Sequence, residues 1–473
     1  MPNPLQLLTE SRFLQPNRLR LLKILGLLLC LFGCSTSSIF IPFNVQSTNI
    51  KQTIEQDNSP DYAKIKKLAT SLARQSNTQD GLLFSQESGR LFQLTNHFST
   101  SKTLFAKTIE RYRKQDQSAH LRLTAVGNQS LSLLSNDNVI PYDGEPYEQV
   151  MAHQFQALNY LFLNDPTAAA IELRRAAGMQ RRIERDEENR KQQGVTAAQK
   201  HGISLKPLNQ SPKVQQMNQL ITENPQGFQN ASTYFLSAVF WESQQQWNSA
   251  LVDYKKALSI LPNHPDIQKG IQRVTKARDG KSSPQPETGS LVVLFEQGFV
   301  AERAEFSLSI PSSSLEMIHS IAIPVYDKAH WPKTQALTIS TKAGSHATTP
   351  LVNLSALAAK SLQQDYPALI TRQVLRAISK KQLQSEAYKN SQALGLFTSL
   401  YSALSEQADL RTWSTLPHSI GAHLLTLPVG NQEIFLNVHP LSQSEHILIQ
   451  SGRTTLLRVI ECGGKLFTQV TVI

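Results

Sequence analysis

The stretch Tyr234–Pro262 constrains the fold more than any other part of the chain. Tyr234, Ala238, Trp241, Trp247, Ala250, Tyr254, Ala257 and Pro262 are spaced so that two successive helices each present one packed face. Each residue type has a packing reason. Ala238 and Ala250 are small where the helices of the hairpin approach, Trp241, Trp247 and Tyr254 fill the space between them, and Pro262 closes the second helix.

Two weaker copies lie upstream, one with Gly89, Phe92, Phe98, Ser101 and Phe105, the other with Leu158, Leu161, Ala170 and Ala177. The spacing in all three is that of tetratricopeptide repeats, set at irregular intervals with extra helices or insertions between units. Residues 61–278 are therefore expected to form an irregular helical-repeat domain. Gln180–Gln192 is almost purely polar and extends the helix that begins near Ala168, supported by pairs such as Glu188 with Lys191. Gly194–Pro225 carries Gly, Pro, Asn and Ser signals and is expected to be a mobile excursion.

The N-terminus has the layout of an export signal. Arg12, Arg18, Arg20 and Lys23 precede the apolar run Ile24–Phe32, which is too short to span a bilayer, for which roughly 20 residues are needed. The run ends in Leu31-Phe32-Gly33-Cys34, which resembles the lipobox of bacterial lipoproteins. Residues 1–33 then form the signal peptide and Cys34 carries the lipid, since only a thiol takes the thioether-linked diacylglycerol. Ser35, in place of an aspartate, implies sorting to the outer membrane. Residues 34–60 are expected to be a polar tether. Cys30 leaves with the signal, Cys34 is acylated, and Cys462 is left alone, so no intramolecular disulfide supports the fold and Cys462 is expected to be buried in a strand.

A linker, Asp279–Gly289, separates a different composition. Ser290–Phe295, Glu305–Ile310 and Ile321–Tyr326 predict strands. Helices are predicted at Leu351–Leu362, Tyr366–Gln384 and Ala393–Gln407, inside an insertion spanning 351–408. Strands return at Ala422–Leu427, Glu433–Val438, His446–Gln450, Thr455–Ile460 and Lys465–Ile473. The expected fold is α+β and multidomain: a helical hairpin array, then a β-rich, sandwich-like antiparallel domain over 290–473 with the helical insertion.

The formal net charge of +11 becomes about +8 once the signal takes four bases and one acid with it. The bases are scattered, without the runs or interleaved aromatics of a nucleic-acid module, so the excess points to anionic lipid or cell-wall groups and not to nucleic acid. None of the twelve histidines forms HxH, HxxxH or HExxH, and no nucleophile elbow or phosphate loop is present, so no metal, cofactor or catalytic set is expected. Asp143, Glu145 and Glu148 could supply an acid and base as in a cell-wall hydrolase. They also suit the first turn of a helix, with Pro146 at its first position and Gly144 in the preceding turn. Arg372, Arg376 and Lys380 recur every four residues on one helix face and could grip a carboxylate-bearing partner.

Several longer blocks resemble one family, the proteobacterial tetratricopeptide-repeat-containing lipoproteins. They are Tyr142–Glu148, Leu158-Asn159-Tyr160, Tyr254–Leu258, Leu291–Gly298, Pro367–Ala377 with Lys380, and Glu406–Asp409 to Trp413. The resemblance implies a periplasm-facing lipoprotein of the outer membrane, supplies no catalytic residues, and points toward envelope assembly. The function expected is a scaffold that binds other envelope proteins in the groove of its helical array and meets the membrane through its lipid alone.

Overall fold

One turn design recurs between the helices of the N-terminal half. The structure is a computed structural model that describes residues 43–56, 59–124, 141–224, 229–281, 286–312, 317–390 and 407–473. Its first helices are α1 (Phe43–Glu55), α2 (Tyr62–Arg74), α3 (Gly81–Leu94), α4 (Phe98–Thr124), α5 (Pro146–Phe162) and α6 (Pro166–Lys200). They are followed by α7 (Lys206–Gln210), α8 (Pro212–Glu223), α9 (Ala231–Ser243), α10 (Trp247–Ile260) and α11 (Pro265–Arg278). The turns α3–α4, α5–α6 and α9–α10 each place one residue in the left-handed region: Asn96 (φ 59°), Asn164 (φ 57°) and Gln245 (φ 58°). In each, the next N–H reaches back five residues, from His97 to the Phe92 carbonyl (2.8 Å), Asp165 to Tyr160 (2.9 Å) and Gln246 to Trp241 (2.8 Å). This closure caps the last carbonyls of the first helix and reverses the chain in three residues. Asparagine tolerates the conformation best among residues with a side chain, and two of the three turns use it.

Packing within the hairpins follows from small residues at the crossings. Ala238, Ala250, Tyr254 and Ala257 are fully buried, Trp241 is buried, Trp247 is half-buried, and Pro262 is exposed in the turn after α10. Gly270 of α11 faces the Tyr254 ring, where an added Cβ would stand 2.5 Å from it. Ser101 Oγ donates to the Gly89 carbonyl at 2.8 Å, and Phe105 packs on Gly89, so α3 and α4 approach closely at the same kind of point.

The strands are β1 (Thr288–Gln297), β2 (Arg303–Ser312), β3 (Met317–Tyr326), β4 (Thr338–Thr341), β5 (Gly344–Ala347) and β6 (Thr349–Asn353). After helix α12 (Leu354–Asn390) come β7 (Ser419–Pro428), β8 (Gly430–Val438), β9 (Leu441–Ile449), β10 (Thr454–Cys462) and β11 (Lys465–Val472). They form a five-stranded sheet in the order β11-β10-β1-β7-β6, a four-stranded sheet β5-β4-β8-β9 and the pair β2-β3. The class is α+β. The five-stranded sheet is mixed and not wholly antiparallel, because β1 runs parallel to β10. Both its faces are covered, which explains the continuous apolar run of β1. Leu291, Val293, Phe295, Leu425 and Leu457 join Ile339, Ile434, Leu436 and Ile447 of the four-stranded sheet in one core. Val292, Leu294, Leu456 and Ile420 belong to the core of the helices.

That shared core departs from the two-domain expectation: 43–473 is one compact unit. The helix α1 falls within the expected tether, since Ile50 and Ile54 bury in a cluster with Ile65, Leu72, Cys462 and Phe467. Cys462 is buried at the end of β10. The expected excursion over 194–225 is mostly helical: α6 continues to Lys200, and Val214, Met217, Leu220 and Ile221 of α8 are buried. The glycine signal at Gly194 has another cause, because a Cβ there would stand 2.8 Å from the Ala368 nitrogen and 3.1 Å from Pro367 Cβ of α12. The helices expected at 351–362 and 366–384 are one, with Pro367 inside it, and β6 takes 349–353. The segment 393–406, and 1–42 with Cys34, lie outside the described residues.

A buried ion triad joins the helical and strand halves. Arg458 of β10 binds Glu296 of β1 at 2.6 Å, and Arg90 of α3 binds the other Glu296 oxygen. Both guanidinium groups lie over the Phe155 ring, at 4.7 and 5.4 Å. Burial pushes the Glu296 carboxyl up, and the charges of Arg458 and Arg90 more than offset it, leaving it below the ordinary carboxylate value.

Candidate functional site

The acids near 143–148 have separate fates. Gly144 (φ +72°) makes the turn against Tyr112. Pro146 opens α5, and Glu145 and Glu148 form a capping box at its start. Glu148 points inward and is fully buried. The Tyr142 hydroxyl lies 2.8 Å from each of its oxygens, and it accepts the Trp413 N–H at 3.0 Å. Burial first of all, and next the charge of Glu145, lift its carboxyl to about 7, against the lowering effect of the Trp413 N–H and Tyr142 hydroxyl.

The reason for this arrangement is the segment 408–418, which is buried almost throughout yet has no regular structure before β7. Its backbone N–H groups need acceptors, and carboxylates supply them. Glu87 accepts from the N–H groups of Ser414 (2.6 Å) and Thr415 (3.1 Å) and from both their hydroxyls. Glu305 accepts from Ala408 N–H at 2.8 Å. Glu148 takes Trp413. Its value near neutrality is thus a consequence of the sealed position, and the hydrogen bonds of its structural duty work against it.

Glu145 and Asp143 instead face a cleft of about 300 Å³ between the start of α5 and the middle of α12, lined also by Tyr142, Arg303, Leu362, Asp365, Leu369, Arg372, Asp409 and Arg411. Glu145 is bound by Arg303 and accepts from Ser361 Oγ at 3.0 Å. Arg411 pairs with Asp409 and Asp80, each at 2.7 Å. Asp365, half-buried, stands 3.8 Å from Arg190. Burial, then the Glu145 charge, raises its carboxyl to about 6. Of the three basic residues expected on one exposed face, Arg372 is exposed at this cleft, whereas Arg376 is only 5 % exposed, so a single solvated or partner-facing stripe is not formed. The cause is that α12 is packed on several sides, against α6, α8 and β3. The side chain of Lys380 lies outside the described residues.

A second concavity, of about 420 Å³, lies between α6 and the α9–α10 hairpin, lined by Arg174, Arg181, Trp241, Asn248, Val252 and Asp253. The Arg174 guanidinium sits 4.4 Å over the Trp241 ring, and Val252 is 59 % exposed. Asp253 accepts from Ser237 Oγ at 2.6 Å and is raised by burial.

Comparison with protein-family models, curated proteins and solved structures finds no match. The chemistry therefore has to come from the geometry. Ser355 Oγ and His418 Nδ1 stand 2.7 Å apart, a nucleophile–base pair that no sequence motif announced. Both residues are buried, Ser355 Oγ accepts the Ala301 N–H at 2.9 Å, and burial pushes His418 down to about 4. The imidazole is thereby kept neutral at pH 7, and its other nitrogen lies 3.0 Å from Thr334 Oγ1. Among the described residues no group of three or more His, Cys, Asp and Glu side chains is placed to hold a metal. Asp365, Arg303 and Arg411 were not singled out in the sequence, because each lies alone among residues of other types and only the fold brings it to the cleft.

Proposed function

We propose that this chain is a scaffold of the bacterial outer membrane, anchored through lipid on Cys34, facing the periplasm, and binding another envelope protein in the groove between α6 and the α9–α10 hairpin. The observation that carries this reading is the pairing, in that groove, of an exposed Val252 with two arginines, Arg174 and Arg181, the first of them lying over the buried Trp241 ring. Apolar anchors beside positive charge suit a partner segment that carries both acidic and apolar side chains. Three hairpins with one turn geometry support the tetratricopeptide-like reading of the array, and two sheets sharing a core support the sandwich-like reading of the strands. The resemblance to tetratricopeptide-containing lipoproteins points the same way. The competing reading, a cell-wall hydrolase using Asp143, Glu145 and Glu148, is weakened because Glu148 is committed to backbone N–H groups and Glu145 to Arg303.

Two experiments test the proposal. Cys34→Ser is expected to move the protein from the outer-membrane fraction to the soluble periplasm; retention after a salt wash would overturn the anchor. A photo-crosslinking residue at position 252 is expected to give a discrete adduct in cells that disappears when Arg174→Glu and Arg181→Glu are combined. An adduct unchanged by that charge reversal would overturn the groove.

A further inference from the structure

We propose that the outward face of α2 rests on the anionic phospholipid headgroups of the membrane that holds the anchor, so that the membrane is met by protein as well as by lipid. The proposal takes from the functional reading only the lipid on Cys34, and its test works without that lipid. The face follows from the sequence of the helix. Ile65, Ala69 and Leu72 are buried in a cluster with Ile50 and Ile54 of α1 and Cys462 of β10. The opposite stripe, at positions 63, 66, 67, 70, 71 and 74, is exposed and has the spacing of one helix face. It carries Lys66, Lys67 and Arg74 among the small side chains of Ala63, Thr70 and Ser71, and no acid.

Charge and reach together select the occupant. Helix α4 continues the basic surface, because Arg111 donates to the Ser76 carbonyl at 2.5 Å and Lys107 to the Ser76 hydroxyl at 3.4 Å, just past the end of α2. Against these cations stand Glu55, exposed at the end of α1, and Glu110 of α4, which Arg113 and Lys114 already engage. The stripe holds no large apolar side chain of the kind that anchors a protein partner. Long basic side chains set among small residues instead suit a flat, negatively charged surface. Phe43, where α1 begins, follows Cys34 by nine residues, a span of at most about 30 Å. A lipid on Cys34 therefore keeps α1, and with it the helix α2 that shares its apolar cluster, close to the headgroups.

The test uses the mature chain 34–473 with Cys34→Ser, which carries no lipid and includes the whole compact unit 43–473. It is sedimented with vesicles of phosphatidylcholine, or of phosphatidylethanolamine and phosphatidylglycerol, at low and at high salt. Binding to the phosphatidylglycerol vesicles alone is expected, falling as salt rises. Combining Lys66→Gln, Lys67→Gln and Arg74→Gln should weaken it by about tenfold or more, since each cation near an anionic surface is worth about fivefold in partitioning. All three positions are exposed, so the variant should keep the parent melting temperature. Combining Lys255→Gln, Lys256→Gln and Lys269→Gln removes the same charge from exposed positions on α10 and α11 and should leave binding unchanged. The proposal is overturned if both kinds of vesicle bind alike, if the α2 variant binds as the parent does, or if the α10–α11 variant loses as much. Sedimentation with isolated cell-wall sacculi and not with vesicles would overturn it in favour of the wall. A failed anchor would show separately, in the fractionation of cells that carry Cys34→Ser.

Discussion

The α9–α10 hairpin and the segment 408–418 are both deeply buried, and they are held by opposite means. In the hairpin, backbone groups bond within each helix, and side chains only have to fit: Ala238, Ala250 and Ala257 leave room, and Tyr254 and Trp241 occupy it. The segment 408–418 has no ladder or helix of its own, so its N–H groups depend on Glu87, Glu148 and Glu305, while Trp413 plugs the space beside Phe105 and Phe155. The contrast shows two ways to meet one requirement, that buried backbone be bonded. Local structure does it cheaply; buried carboxylates do it at the cost of desolvation, seen in the raised values of Glu87 and Glu148. What the second way adds is reach. It ties a turn before β7 to helices α3 and α5, and with Arg90–Glu296–Arg458 it makes the helical and strand parts one unit.

If that contrast is right, the largest loss should come from the segment. Trp413→Ala removes a fully buried side chain from the space beside two aromatic neighbours, Phe105 and Phe155, and is expected to lower stability by about 3–5 kcal/mol. Chemical denaturation should also show a separation of helical from strand signals, because the tie between the halves is loosened. An unchanged midpoint would mean that the segment is not integral to the core. In the hairpin, Ala250→Trp is expected to cost on the order of 1–3 kcal/mol by overpacking, with the transition remaining a single step. A melting temperature like the parent's would show that Ala250 does not lie at a close crossing.

The same contrast explains what could be anticipated from residue order. The hairpin was legible because its contacts are local and periodic: Ala238, Ala250 and Tyr254 are near in sequence and repeat with the helix. The strands β1, β7, β8, β10 and β11 were legible for a similar reason, as runs of apolar and alternating residues between turns. The segment 408–418 was not, because Glu87 and Ser414 are 327 positions apart and leave no periodic trace. Nor could an acid at position 148 declare whether it faces solvent, a helix start or a backbone N–H. Helix α8 was hidden by the Gly, Pro, Asn and Ser residues around it, though Val214, Met217, Leu220 and Ile221 carry a helical spacing. At the cleft, Asp143, Glu145 and Arg372 were visible as charged residues, but their meeting with Asp365, Arg303 and Arg411 is a property of the fold alone.

The most discriminating effect is expected from Glu148→Gln. The folded-state value of Glu148 is raised, from 4.5 to about 7, so the folded protein holds this proton more tightly than the unfolded chain. Its contribution is therefore fully present below about pH 4.5 and is lost as pH rises through about 7, a span worth about 3 kcal/mol. His418 works in the other direction: its value is lowered from 6.5 to about 4, so acidification below 6.5 destabilises the fold through it. The two oppose each other between about pH 4.5 and 6.5, and the parent protein should show a shallow profile there. Glutamine keeps the size of Glu148 and an oxygen for the Trp413 N–H but does not titrate. The variant should consequently be closest to the parent at pH 8, where the parent bears the cost of an ionised Glu148, and fall progressively behind it toward pH 5. Melting temperatures measured for both proteins across that range decide the point. A constant difference at every pH would show that Glu148 ionises as an ordinary carboxylate, and with that the account of a sealed carboxylate serving the buried backbone of 408–418 would fail.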